Sequence, residues 1–157
     1  MGKNRSTCNK QSFIVKIILM KTFTSKTQKI GEIGEKLASM FLMKHGFQII
    51  DNNYTIRAGE IDIVAKKGKV WHFIEVKSVS RVTLDDVSSE TLEPGKQSGF
   101  RPEENMHPKK IQRFVRTVEY YRMAKDLEEE DFQIDLALVY ISQSDKKGKV
   151  VLMENVV

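Results

Sequence analysis

Apolar positions recur with two different periods along this chain. Ile30, Ile33, Leu37, Ala38 and Phe41 fall at helical spacing and make one stripe, which predicts a helix over residues 25–45. Ser25-Lys26-Thr27-Gln28 fits a capping box at its start, and Gly46 suits its C-terminal cap. Gly31 and Gly34 leave room for a neighbouring backbone to approach. Glu32 points away from the stripe, whereas Glu35 sits at its margin beside Ala38 and Leu42. A margin carboxylate faces either solvent or a site on an adjoining sheet, and spacing alone favours solvent.

A second helical pattern runs over residues 108–125, with Pro108 suited to the first turn. Its buried stripe is Ile111, Phe114, Val115 and Val118. Lys109, Arg113, Arg116 and Tyr120 share the opposite face. Such a basic line suits a phosphate backbone and the tyrosine suits stacking, although a solvent-facing helix is ordinarily charged. Between the helices, residues 47–54 read as a strand, and residues 59–77 as a hairpin. Phe132 to Ile141 is the most apolar run, as in a central buried strand, and Asp135 interrupts it. Val150 to Met153 reads as a last short strand. Ser78 to His107 shows little periodicity, and residues 82–101 are the candidate for disorder or a lid. Helix, three strands, long loop, helix and two strands predict an α/β sandwich with a mixed sheet.

The hairpin carries the unusual chemistry. Gly59-Glu60-Ile61-Asp62-Ile63-Val64-Ala65 and Val70-Trp71-His72-Phe73-Ile74-Glu75-Val76-Lys77 flank Lys66-Lys67-Gly68-Lys69. A Gly68-Lys69 turn pairs Lys67 with Val70, and counting outward sets Asp62 opposite Glu75 and Glu60 opposite Lys77. These four side chains then share a face with Val64, Trp71 and Phe73, while Ile61, Ile63, Ile74 and Val76 share the other. His72 has the apolar-face parity near the turn and reads as a partly exposed strand histidine. Two facing carboxylates repel, and a divalent cation offsets that; Mg²⁺ is commonly held by one or two carboxylates plus substrate phosphate. A solvated face with a Glu60–Lys77 ion pair explains the same spacing.

Composition narrows the alternatives. The chain has 157 residues and a net charge of +5, which is the size of a single domain. Residues 1–21 carry Lys3, Arg5, Lys10, Lys16 and Lys21 and no acid, so the remaining 21 basic and 21 acidic residues balance. The basic character therefore belongs to the N-terminal segment. Residues 1–24 read as an extension or mis-assigned start that is disordered or forms an added strand, and residues 25–157 as the domain, with an irregular loop at 79–107. No run approaches the ~20 apolar residues of a membrane span, so no membrane partner is expected. The single cysteine, Cys8, allows no internal disulfide and fits a cytoplasmic setting. His45, His72 and His107 lack ligand spacing, and no P-loop, dinucleotide fingerprint or nucleophile elbow is present.

Several segments together resemble a known family. They are Gly34-Glu35-x-x-Ala38, Gly46-Phe47, Asn53-Tyr54, Gly59-Glu60-Ile61-Asp62, Phe73-Ile74-Glu75-Val76-Lys77, the Pro108-Lys109-Lys110 helix start, and Asp135. The sequence is similar to the YraN family of predicted bacterial endonucleases. More broadly it resembles the restriction-endonuclease-like PD-(D/E)XK superfamily, archaeal Holliday-junction resolvases included. The resemblance implies a restriction-endonuclease-like sandwich whose core is helix, three strands, helix, strand. It implies a metal-dependent endonuclease hydrolysing DNA phosphodiesters, on branched or recombination intermediates. Asp62 and Glu75 would bind Mg²⁺ (or Mn²⁺), Lys77 would act in catalysis, Glu35 would join the site, and Glu60 would support it. With such a function, the basic line Lys109, Arg113 and Arg116 read from the helix pattern would contact nucleic acid. A homodimer is a further implication, since junction-cutting relatives pair. The alternative is a nucleic-acid-binding module of the same fold without turnover. Asp135 matches the family pattern and is read as structural.

Overall fold

The computed structural model describes residues 10–16, 26–81, 107–142, 144 and 147–157. The elements are β1 (Lys10–Lys16), α1 (Lys26–Lys44), β2 (Gln48–Ile56), β3 (Gly59–Lys67), β4 (Val70–Arg81), α2 (Pro108–Ala124), β5 (Phe132–Ser142) and β6 (Lys147–Met153). Among the described residues the strands form one six-stranded sheet, ordered β1-β6-β5-β4-β3-β2. Only the β4–β5 pair is parallel, so the sheet is mixed and the protein α/β. Ser25 of the expected capping box, Cys8 and the candidate lid at 82–101 lie outside the described residues. Val79 to Arg81, expected to open the irregular segment, instead continue β4 in pairing with β5.

The helices cover opposite faces of the sheet. The α1 stripe of Leu37, Ala38, Phe41 and Leu42 packs on Ile63, Ala65, Ile74, Ala137 and Val139, with Ile30 and Ile33 at the edge. Gly34 is buried so tightly that a Cβ there would lie 1.7 Å from Ser78 Oγ on β4. Gly31, expected to do the same, has open space around its Cα, so only one of the two glycines serves close packing. On the other face Phe114, Val118 and Tyr121 of α2 pack on Ile61, Val64, Phe73 and Ile134. The buried side of α2 also includes Thr117 and Arg122, whereas Ile111 and Val115 are half-buried.

The hairpin turn falls where the Gly-X pattern put it. Gly68 has φ of 61° and Lys67 pairs with Val70. The antiparallel β3–β4 ladder then stops at Ile63–Ile74, so Asp62–Glu75 and Glu60–Lys77 are not paired directly across the strands. Glu60 instead faces Thr55 on β2, and Lys77 faces Leu138 on β5. The reason is a break in parity around Asp62. Ile63 packs with α1, but Ile61 packs with α2 alongside its partner Tyr54, contrary to the expected shared face. Across from the break Asn53 has φ of 52°, a left-handed conformation that asparagine tolerates better than most residues. A further register shift falls between Ile49 and Asp51.

His72 also departs from expectation. It is buried and donates from Nδ1 to Asp135 Oδ2 at 2.7 Å. The same carboxylate accepts from Gln133 Nε2 and from the Asn155 backbone N–H, both at 2.9 Å. Asp135 thus ties β4, β5 and the C-terminal segment together, and the donors satisfy a fully buried charge.

Candidate functional site

The parity break aims the Asp62 carboxylate along the sheet. Its Oδ2 accepts the Val76 N–H at 2.7 Å, beyond the end of the ladder. Partial burial, then the Glu75 charge, push Asp62 up from 3.8 to about 7; the Val76 N–H pulls the other way, and Glu35 and Glu60 add to the rise. Four carboxylates from α1, β3 and β4 are therefore close enough to feel one another. Glu35 reaches the group from the α1 margin, half-buried and held by Asn53 Nδ2 at 3.1 Å. The solvent reading that spacing favoured for Glu35 gives way to this placement.

Glu75 lies on the α2 side of β4 and is buried. Its Oε1 is paired with Lys110 Nζ from the first turn of α2. Lys77 follows two residues later on the same side, half-buried. Between the β2–β3 turn and the start of α2 opens a cleft of about 500 Å³. Glu60 and Glu75 line it on the strand side, and Lys109, Lys110 and Arg113 on the helix side. Arg116, Asp62, Glu35 and Lys77 are not part of this lining; Arg116 lines an adjoining groove with Arg57 and Tyr120. The two walls are set by close packing at Gly59, where a Cβ would stand 2.7 Å from Thr117 Oγ1. Thr117 in turn donates to the Arg113 carbonyl at 2.8 Å.

Sequence reasoning missed the pairing of Lys110. The only signal was its position beside Ile111 and one turn before Phe114, on the flank of α2 that turns toward the sheet. His107 also enters the cleft lining, as the N-cap whose Nδ1 accepts the Lys109 N–H at 3.3 Å. No spacing argument marked it.

The carboxylates suit a hard cation in type, and a pair of them is what Mg²⁺ commonly uses. Among the described residues, no three Asp, Glu, His or Cys side chains converge closely enough to enclose a metal. Any such ion would rest on Asp62 and Glu75, with its other positions left to water and substrate oxygens. No described helix is long and apolar enough to cross a membrane.

Fold and site together define a mixed-sheet α/β protein with a partly buried acidic cluster beside a basic helix. The family follows from the sequence comparison: residues 34–139 match the model described as the uncharacterised protein family UPF0102, and the chain belongs to that family. The UPF0102 protein of Campylobacter lari is 35% identical over 126 residues, covering 80% of this chain and 91% of the relative. A UPF0102 protein of Campylobacter hominis is 31% identical over 131 residues, covering 83% and 96%. Among solved structures, Pyrococcus furiosus SfsA in complex with Ca²⁺ is similar at a TM-score of 0.33 and 17% identity, over 82% of this chain and 63% of that one.

Proposed function

We propose that this protein is a metal-dependent endonuclease of restriction-endonuclease-like type, hydrolysing phosphodiester bonds in DNA. The observation that carries the reading is the cluster of like charges around the partly buried Asp62, set beside a cleft with a cationic wall. Like charges forced together under partial burial disfavour ionisation, and a bound dication reverses that cost. A carboxyl pushed up by burial and like charge beside a cleft is a functional-site candidate on physical grounds.

Asp62 and Glu75 would hold Mg²⁺ or Mn²⁺. Such an ion, when bound, supplies Lewis-acid polarisation of the phosphate and a more acidic water. The Val76 N–H holds the Asp62 carboxylate in one orientation, so that it needs no rearrangement to bind. Lys77 would orient the attacking water or meet charge developing on the phosphate. Glu35, anchored by Asn53, would complete the acidic surround, and Glu60 would support it. Lys109, Arg113 and Arg116 would take backbone phosphates, with binding that weakens as salt rises.

Cleavage of single-stranded, duplex and four-way-junction DNA with Mg²⁺ or Mn²⁺ tests the proposal. Wild type is expected to cut at least one substrate, and Asp62→Ala and Lys77→Ala to cut none. Equal cutting by both variants would remove these residues from the site. The Glu75–Lys110 ion pair favours one second reading, a nucleic-acid-binding module, because Glu75 already has its counter-charge without metal. Salt-sensitive DNA binding with no cleavage under any metal would select it.

A further inference from the structure

Beside the cleft lies a second, shallower groove of about 340 Å³, which shares Ile56 with it. Arg57 and Ala58 of the β2–β3 turn form one wall, and Arg116 and Tyr120 of α2 the other. The position is closely packed. Gly59 brings the turn against α2 with no space for a side chain, and Arg113 Nε stands 3.5 Å from the Ala58 carbonyl oxygen. Tyr120 is 50% exposed, a large aromatic surface left to solvent on a helix face that also carries Arg113, Arg116 and the exposed Met123.

We propose that this groove receives an unpaired nucleobase and its phosphate, so that the preferred substrate carries a single-stranded segment next to the reacting bond. The inference rests on the nucleic-acid reading above and names the substrate class within it. Three features meet here that a protein or lipid partner would not need together. Arg57 and Arg116 flank the groove and supply phosphate-binding guanidinium groups from opposite walls. Tyr120 supplies a surface on which a base stacks whatever its sequence. The groove continues the row Lys109, Arg113, Arg116, Tyr120, which at a helical rise of ~1.5 Å per residue follows a strand for about 16 Å from the cleft. A base inside a duplex is already stacked on both faces, so Tyr120 gains a partner only where the strand is unpaired. The volume likewise fits a base and not the width of a duplex.

The test is fluorescence anisotropy with labelled oligonucleotides in EDTA, at several salt concentrations, using the full chain. The probes are a single strand, a blunt duplex, and that duplex with a single-stranded tail. Single-stranded and tailed probes are expected to bind more tightly than the blunt duplex. Tyr120→Ala is expected to weaken both by about 5- to 150-fold while leaving the blunt duplex within about twofold, and Tyr120→Phe to retain wild-type binding. Arg116→Gln is expected to flatten the logarithmic salt slope for the single strand by about 0.7. Because both side chains are exposed, unchanged melting curves will show that the variants fold. Blunt duplex bound as tightly as the tailed probe, or Tyr120→Ala without effect on the tail, overturns the groove. That outcome leaves the endonuclease reading to stand on Asp62-dependent cleavage. Absence of binding to every probe at low salt overturns both.

Discussion

Lys110 Nζ reaches from the first turn of α2 to Glu75 Oε1, pairing a half-exposed ammonium with a carboxylate only 8% exposed. One end of the pair is thus free to leave and the other is not. On the proposed function, a cation entering beside Asp62 would compete with Lys110 for Glu75, and a displaced Lys110 would lie in the cleft wall where a phosphate would sit. Lys110→Met keeps the aliphatic stem and removes the charge. Without metal it is expected to lower stability by about 1–3 kcal/mol, since a buried carboxylate loses its counter-ion. In the same variant Mn²⁺ is expected to bind about fivefold more tightly, as a competitor worth about 1 kcal/mol has gone. Titration calorimetry and chemical denaturation read the two effects. Weaker Mn²⁺ binding in Lys110→Met would show that the lysine supports the ion and does not compete with it.

Asp62 makes stability depend on pH in a defined direction. Its carboxyl titrates near 3.8 in the unfolded chain and about 7 in the folded one. Between those values the folded state holds a proton that the unfolded state has released, so stability falls as pH rises through this window and levels off above it. With screening of a half-buried group allowed for, the loss is of order 2 kcal/mol. Asp62→Asn retains an acceptor for the Val76 N–H and removes the ionisation. It is expected to match wild type near pH 4 and to be the more stable protein near pH 8, by denaturant melts in EDTA. Saturating Mg²⁺ is expected to close that gap by stabilising wild type alone. Parallel pH profiles for the two proteins would detach Asp62 from the effect.

Gly34 carries the contact between α1 and β4. A methyl group there meets Ser78 Cβ at 2.9 Å as well as its Oγ, so rotating the hydroxyl does not relieve the clash. Gly34→Ala is expected to cost about 1–3 kcal/mol by forcing the helix outward. Gly34→Ala with Ser78→Gly is expected to recover most of it, in denaturant melts. Because Glu35 rides on the same turn, the single variant is also expected to lose DNA cleavage before it unfolds.

Asp135 is expected to matter for stability and not for chemistry. Asp135→Ala strands the His72 donor in the interior and also takes the acceptor from the part-buried Gln133 side-chain and Asn155 backbone donors. The expected cost is about 3–5 kcal/mol. Asp135→Asn retains one acceptor and is expected to lose less. The fraction of either variant that remains folded should bind Mn²⁺ as wild type does.

What the sequence disclosed follows from how local each determinant is. The Gly68-Lys69 turn and the Lys67–Val70 register are set by adjacent residues, and both were legible. So were the α1 stripe, the start of α2 at Pro108, and the mixed α/β order. The face of Ile61 was not, because counting by twos assumes an unbroken pleat. Asn52-Asn53 was the available hint, and only the folded β2–β3 pair shows that it flips the alternation. His72 looked like a surface histidine because its partner Asp135 is 63 residues away in the chain. The Glu75–Lys110 pair depends in the same way on two elements separated by a long connection, and its distance from a helical wheel is what hid it.

The close approach at Gly59 has a consequence for how substrates are sorted. At Gly59 the start of β3 meets Thr117 with no room for a side chain, and Phe114, Val118 and Tyr121 fix the same helix to Ile61, Val64 and Phe73. The gap that opens beside this contact is therefore a caliper set by the fold itself. On the proposed function, a phosphate group would meet a backbone opening of set width, and widening it would require lifting α2 off the sheet. If the substrate is nucleic acid as proposed, selection among its shapes would fall to what the strand does on either side of that opening, and changes in surface loops would retune it without resetting the width.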